Sequence, residues 1–145
     1  LSQAFRLAKS RREDDESREK AEELLEFLEI QAIRKTSVGQ LSYGLQKRVE
    51  LGRALAAEPK CLLLDEPMAG MSPDEKQDMT RFILQAKEAY GMTVVLIEHD
   101  LGVVMDISDH VIVLDYGRKI ADGIPEEIKR DQKVIDAYVG KNTDI

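Results

Sequence analysis

Three features that are rare or absent in the sequence narrow the possible classes of protein. A single cysteine, Cys61, leaves no partner for an internal disulfide, and its position at the head of an apolar run predicts a reduced, buried thiol in a cytoplasmic protein. No apolar run approaches the roughly 18 to 20 residues that a membrane-spanning helix requires. Acidic residues outnumber basic ones by 28 to 21, a net charge of −7, which argues against a surface built for nucleic acid.

A fourth absence is a sequence motif. The phosphate-binding loop G-x-x-x-x-G-K-S/T occurs nowhere in the 145 residues, so the chain does not itself supply that loop to a nucleotide. The chain also starts at Leu1 without a signal segment, and its opening residues resemble the middle of a longer sequence. We therefore expect a truncated domain with one modest core.

The residues that are present alternate between helical and extended patterns. Apolar residues at helical spacing predict helices over about 16–30, over about 43–57 and between Pro73 and Gly91. CLLLD at 61–65 and MTVVLIEHD at 92–100 predict strands. Because CLLLD is continuously apolar, a strand buried on both faces of a parallel sheet is favoured. The mixed-charge run at 10–20 is expected to be a solvated loop or the start of an exposed helix.

Shorter elements are predicted in the remainder of the chain. LGVVMDIS predicts a short helix, and DHVIVLD and GRKIADG predict two strands paired across the Tyr116–Gly117 turn. The tail is predicted to be helical, with Pro125 in its first turn. Alternating strands and helices indicate an α/β fold with a mostly parallel sheet flanked by helices, whose ligands collect beyond the carboxyl ends of the strands.

Two acidic residues and a histidine follow the predicted strands. Asp65 and Glu66 come at the end of CLLLD, and His99 follows VVLIE. Asp65 at a rigid strand end is suited to anchoring Mg²⁺, directly or through water. Glu66 is suited to orienting an attacking water, and His99 to donating a hydrogen bond to a γ-phosphate or to that water. The alternatives are an acidic pair that only caps a turn, and a histidine that is only a surface or packing residue.

A separate anion site is predicted at the start of the helix near residue 43. Ser42 is placed to cap that helix, whose first backbone N–H groups and dipole attract negative charge. Gly44 allows the backbone to approach an anion closely. The alternative is an ordinary helix cap that binds no anion.

Together these segments resemble the ATP-binding cassette family, over essentially the whole chain from about 20 to 140. LSYGLQKR is similar to the family's signature motif, CLLLDEP to its Walker B strand with the catalytic glutamate, and EHD at 98–100 to its switch-histidine loop. MAGMSP, IEHDLGVVMDISD and the ending DGIPEEIKRDQKVIDAYVG most resemble ATP-binding subunits of branched-chain amino acid importers. A related ATPase of lipopolysaccharide export shares much of that ending.

The resemblance implies a P-loop NTPase fold, truncated, that uses ATP and Mg²⁺. Residues 1–40 would be a partial helical subdomain and residues 41–145 the C-terminal part of the ATPase core. Two such subunits would dimerise head to tail and bind transmembrane permease subunits at the cytoplasmic face of the plasma membrane. The permeases and an external binding protein would choose the cargo.

The resemblance also implies roles for individual residues. Nucleotide contacts made in trans, to the partner subunit's ATP, would involve Leu41, Ser42, Tyr43 and Gly44. Asp65 would serve Mg²⁺, Glu66 and His99 would be catalytic, and Ser72 would lie in the loop between subunits.

Three residues depart from the family pattern. Tyr43 stands where glycine is common, and its ring is expected to restrict or reshape the anion site. Leu45 replaces the usual glutamine. Ser72 stands where an aspartate often communicates across the dimer, which puts coupling between the two sites in doubt.

Other functions remain open at this stage. A soluble cassette ATPase of repair or translation, a lipopolysaccharide-export ATPase and a non-enzymatic interaction domain are the alternatives. The family's phosphate-loop strand would pair near the strand that bears His99, so we expect an unpaired sheet edge and exposed apolar surface. We also expect the 145 residues alone not to hydrolyse ATP.

Overall fold

The computed structural model describes the backbone of residues 2–141 and the side chains of residues 14–138. Its helices and strands are α1 (Ser2–Phe27), α2 (Tyr43–Leu55), β1 (Cys61–Asp65), α3 (Pro73–Tyr90), β2 (Thr93–Ile97), α4 (Leu101–Ile107), β3 (Val111–Asp115), β4 (Arg118–Gly123), α5 (Pro125–Ile128) and α6 (Gln132–Lys141). The chain divides into two compact units, Leu1–Leu96 and Ile97–Ile145. The boundary predicted at residue 40 separates residues 1–40 from residues 41–145, and it stays a prediction.

Strands β1 and β2 form a two-stranded parallel sheet, with α3 as the crossover between them. A parallel pair requires such a crossover, because a tight turn can join only antiparallel strands. Asp65 therefore lies at the carboxyl end of a strand in a parallel sheet, as the alternation of helical and extended patterns predicted.

The prediction that β1 is buried on both faces is wrong. Leu62 is 4% exposed, whereas its neighbour Leu63 is 73% exposed, so only one face of the strand is covered by the described residues. Cys61 lies on the open face and is exposed, which also corrects the prediction of a buried thiol. The apolar run indicated a strand that can be covered on both sides, but the covering depends on packing from other elements.

Local signals set the ends of α3. Ser72 and Glu75 form a reciprocal capping box at its start, with Pro73 in the first turn. Gly91 ends the helix in the left-handed conformation, at φ 58°. The predicted bounds of this helix are confirmed.

Helix α1 is longer than predicted. It begins at Ser2 rather than near residue 16 and includes the mixed-charge run. Arg, Glu and Lys are good helix formers, and charges three or four residues apart support a helix. The run is therefore helical, and the possibility of a solvated loop is wrong.

The core of the first unit lies where α1, α2 and α3 pack together. Phe82 of α3 is fully buried, and its ring centroid is 6.1 Å from that of Phe27 on α1. The guanidinium groups of Arg48 and Arg81 lie 5.1 and 4.4 Å from the centroid of the Phe82 ring. Further fully buried side chains are Leu28, Leu55, Met68 and Met79.

In the second unit, β3 and β4 form an antiparallel hairpin in the predicted positions. Tyr116 and Gly117 both have positive φ, 45° and 75°, as a two-residue turn of the primed type requires. The hairpin packs with α5 and α6. The core residues of this unit are Met105, Val111, Ala121, Ile128 and Val134.

The tail forms two helices rather than one. Helix α5 ends at Ile128 and α6 begins at Gln132. The Oδ1 atom of Asp131 accepts a hydrogen bond from the backbone N–H of Lys133 at 2.8 Å. Aspartate favours such caps over helix interiors because its carboxylate competes for backbone N–H groups, which explains the break.

Several large apolar side chains of the strands are exposed, as predicted. In β1 and β2 they are Leu63, Val95 and Ile97, and in β3 they are Ile112 and Leu114. Among the described residues, no helix combines the length and apolarity needed to cross a bilayer.

Candidate functional site

The start of α2 is held by two side-chain hydrogen bonds. Ser42 is the N-cap, and its Oγ accepts from the backbone N–H of Leu45 at 3.4 Å. The amide of Gln46 donates to the carbonyl oxygen of Leu41 at 2.9 Å. These bonds order the segment from Leu41 to Gly44, and the predicted cap is confirmed. That an anion binds there stays a prediction.

Gly44 lies directly against the side chain of Glu75. A Cβ atom at this position would lie 2.2 Å from Oε1 of Glu75, closer than real Cβ contacts allow. The other oxygen of that carboxylate, Oε2, accepts a hydrogen bond from the backbone N–H of Ser72 at 2.9 Å. The start of α2 therefore packs directly against the cap of α3.

Tyr43 lies against the loop that precedes α3. A Cβ atom on Gly70 would be 3.5 Å from Cε1 of the Tyr43 ring, so the ring lies beside that glycine. The ammonium group of Lys47 is 5.6 Å from the ring centroid and pairs with Glu50 at 3.0 Å. The hydrogen bond to Glu50 raises the pKa of Lys47, so a positive charge is held beside the ring.

Asp65 and Glu66 are both exposed at the end of β1. Asp65 borders a cleft of about 220 Å³ between α2 and β1, whose lining includes Lys47. Glu66 has a φ of 44°, a left-handed conformation that costs a residue with a side chain about 1–3 kcal/mol. The two residues that follow, Pro67 and Met68, are buried. Such strain concentrates at functional sites.

His99 follows β2 by two residues and is exposed. It precedes Asp100, which caps α4 by accepting from the backbone N–H of Val103 at 3.4 Å. His99 belongs to the second unit, and its approach to a phosphate stays a prediction.

Whether the site can hold Mg²⁺ depends on the chemistry of the available donor side chains. No group of three metal-binding side chains occurs in the described part of the chain. Mg²⁺ commonly keeps several waters and is held by one or two carboxylates together with substrate phosphates. The exposed carboxylate of Asp65 at a strand end fits that requirement.

The carboxylate of Glu75 gives the site a defined response to pH. Its hydrogen bond from the Ser72 backbone N–H, and then that with the Ser72 side chain, lower the pKa of Glu75. A lowered pKa stabilises the folded chain above the ordinary carboxyl pKa of about 4.3, and that stability is lost as pH falls through the lowered pKa.

We expect Glu75→Gln to be less stable than the wild type near pH 7, and we expect this difference to shrink as pH falls, because the stabilising charge of Glu75 is lost on protonation. Denaturant unfolding of both proteins between about pH 3 and pH 7 measures this difference. A difference that stays constant over the whole range would contradict a role for the charge of Glu75.

Sequence reasoning missed three residues that contact α2 or lie on it, two on α2 itself and one on α3. Glu75 packs on Gly44, Gln46 holds the carbonyl of Leu41, and Arg48 pairs with Asp78 of α3. The S-x-x-E pattern before α3 was a visible signal for the capping box. The contact of Glu75 with α2 had no local signal, because it depends on how two helices pack.

Residues 1–69 match the family described as ABC transporter. Residues 118–143 match the family described as branched-chain amino acid ATP-binding cassette transporter.

Among curated proteins, similarity is high to BraF of Pseudomonas aeruginosa, a high-affinity branched-chain amino acid transport ATP-binding protein. The two are 40% identical over 141 residues, which are 97% of this chain and 55% of that protein. LptB of Haemophilus influenzae, a lipopolysaccharide export system ATP-binding protein, is 38% identical over 124 residues, 86% of this chain and 51% of that protein. The chain thus spans about half the length of the curated relatives that it matches.

A solved structure is similar as well. It is the ADP conformation of MJ1267, an ATP-binding cassette of an ABC transporter, with a TM-score of 0.78 and 39% sequence identity. The match covers 86% of this chain and 50% of that one.

Proposed function

Since the chain belongs to the ATP-binding cassette family, we propose that it is the signature and catalytic part of an ATP-hydrolysing subunit that powers import of branched-chain amino acids. Hydrolysis requires a phosphate loop, which these 145 residues do not contain. We therefore propose that the chain alone does not hydrolyse ATP.

The observation that carries the catalytic part of this proposal is the backbone of Glu66. It is strained, exposed and placed directly after a strand that ends in Asp65. The other described residues with side chains and positive φ are Glu29, Glu58 and Tyr116. Glu29 follows α1, Glu58 follows α2, and Tyr116 lies in a hairpin turn, where chain reversal explains the conformation.

Each residue then has a defined task. Asp65 would hold Mg²⁺ through its carboxylate, and the ion would supply positive charge to the phosphates of the nucleotide. Glu66 accepts a hydrogen bond from the attacking water, orients it and takes its proton. His99 donates a hydrogen bond to the γ-phosphate or to that water.

The start of α2 acts on the nucleotide of a second subunit. Ser42 and the backbone N–H groups of the first turn donate to its γ-phosphate, where the helix dipole favours negative charge. Leu41, Tyr43 and Gly44 complete this surface, and Ser72 lies in the adjoining loop. The partners are accordingly a second ATPase subunit and transmembrane permeases, on the inner face of the plasma membrane, and no nucleic acid.

The cargo is proposed from two findings. BraF is 40% identical, and residues 118–143 match the branched-chain amino acid transporter family. The 38% identity to LptB favours lipopolysaccharide export as the second candidate.

A chimera tests the proposal. The residues of BraF that align with this chain are replaced by the chain, and the chimera is expressed in a Pseudomonas aeruginosa strain that lacks BraF. We expect uptake of a branched-chain amino acid to be restored, because BraF keeps the remainder of its own sequence. An equivalent LptB chimera in a strain lacking LptB tests the second candidate.

The purified chain alone is the control and is expected to show no ATP hydrolysis. Robust magnesium-dependent turnover by the chain, abolished by Glu66→Gln, would contradict the proposed dependence on a phosphate loop. A folded BraF chimera that hydrolyses ATP but restores no uptake would contradict the proposed cargo.

A further inference from the structure

One side chain, that of Glu75, touches both segments proposed to face a partner's nucleotide. Its Oε1 atom is packed so closely on Gly44 that a Cβ there would lie 2.2 Å away. Its Oε2 atom accepts the backbone N–H of Ser72 at 2.9 Å, at the end of the loop that follows Glu66. A single carboxylate therefore lies between the start of α2 and that loop.

We infer that Glu75 is a positioning residue, which links the anion site at the start of α2 to the loop ending at Ser72, and that a side chain at position 44 would displace this link. The inference rests on the proposed function and adds a means of regulation. A shift of α2 on binding a phosphate would move the loop that begins at Glu66.

Two further contacts join the same segments. Arg48 of α2 forms an ion pair with Asp78 of α3, and its side chain is only 14% exposed. The ring of Tyr43 lies beside Gly70, within the loop. Along the chain these two contacts flank that of Glu75, so several side chains together join the start of α2 to the start of α3.

Substitution of Gly44 distinguishes two roles of this glycine. One is to leave room for the Glu75 carboxylate, and the other is to let an anion approach the backbone. In Gly44→Ala, the added methyl group meets the Glu75 carboxylate, whose cheapest escape is to rotate away. That rotation breaks the hydrogen bond from the Ser72 N–H and opens the capping box. If glycine served only the approach of an anion, the state of Ser72 would not depend on residue 44.

The experiment is a double-mutant cycle with Gly44→Ala and Glu75→Ala in the 145-residue chain. We expect Gly44→Ala to raise the unfolding equilibrium constant at least about fivefold in the wild-type background and less than about twofold when Glu75 is already alanine. Gly39→Ala is the matched control, because a Cβ there meets nothing within 4 Å.

Amide hydrogen exchange at Ser72, compared with exchange at α3 core amides, separates local opening of the cap from general destabilisation. Exchange at Ser72 is expected to speed up in Gly44→Ala more than at α3 core amides, and to be unchanged in Gly39→Ala. Glu75→Gln, which keeps an acceptor oxygen, is expected to retain protection at Ser72.

Equal effects of Gly44→Ala in both backgrounds, or unchanged exchange at Ser72, would overturn the inference. If Gly44→Ala does not fold, recovery of folding by Glu75→Ala supports the link and its failure overturns it. None of these measurements uses nucleotide, so they stand even if a chimera hydrolyses no ATP.

Discussion

Replacing Glu66 by Gln is expected to lower magnesium-dependent ATP hydrolysis by about 100-fold or more in the BraF chimera, because a general base contributes about 10²- to 10⁴-fold. The amide keeps the size and one acceptor oxygen of the carboxylate, but it cannot take a proton from water. Nucleotide binding is expected to persist, since Asp65 and the phosphate loop are unchanged. Steady-state hydrolysis and equilibrium binding of ATP, measured separately, check the two halves of this result.

The control is Glu88→Gln on α3, an exposed glutamate that has no part in the proposed site. It should leave both hydrolysis and binding at the level of the parent chimera. Hydrolysis by Glu66→Gln within a factor of about three of the parent, where a general base supplies at least about 100-fold, would assign the proton transfer to another group.

Replacing Phe82 by Ala is expected to destabilise the chain by about 3–5 kcal/mol, the range for truncation of a buried aromatic residue. Phe82 is fully buried, so its removal leaves a cavity between α1, α2 and α3. It also removes the ring beside which Arg48 and Arg81 lie. Denaturant unfolding monitored by circular dichroism measures the loss.

Leu84→Ala is the matched control for this loss, because Leu84 lies on the same helix and is 37% exposed. We expect it to cost about 1 kcal/mol or less, since much of its apolar surface is already in water. A cost for Phe82→Ala no greater than that of Leu84→Ala would show that α3 is not anchored through Phe82.

The predicted α/β fold of the cassette family is confirmed by the similarity to solved cassettes. Elements with local signals were predictable to within a few residues. Ser42 at α2, Gly91 at the end of α3 and the Tyr116–Gly117 turn each rest on rules that involve only neighbouring residues. The positions of Asp65 and Glu66 could be predicted because both come after a recognisable strand. The left-handed backbone of Glu66 had no sequence signal.

Features that depend on distant packing were not predictable. Cys61 and Leu63 belong to an apolar strand, but their exposure is set by what covers the sheet. Glu75 appeared only as a helix residue, because its contact with Gly44 joins helices that are separated along the chain. The roles of His99 and of the residues acting in trans depend on groups beyond these residues and stay predictions.

The hairpin of β3 and β4 has a consequence for the order of folding. Tyr116 and Gly117 bring five pairs of residues into register across a turn of only two residues, so little chain entropy opposes the first contacts. Hairpins of this kind form in about 1–10 μs. The parallel pairing of β1 with β2 must instead wait for α3 to close a much longer loop. The hairpin is therefore expected to form early, as a template on which α5 and α6 condense.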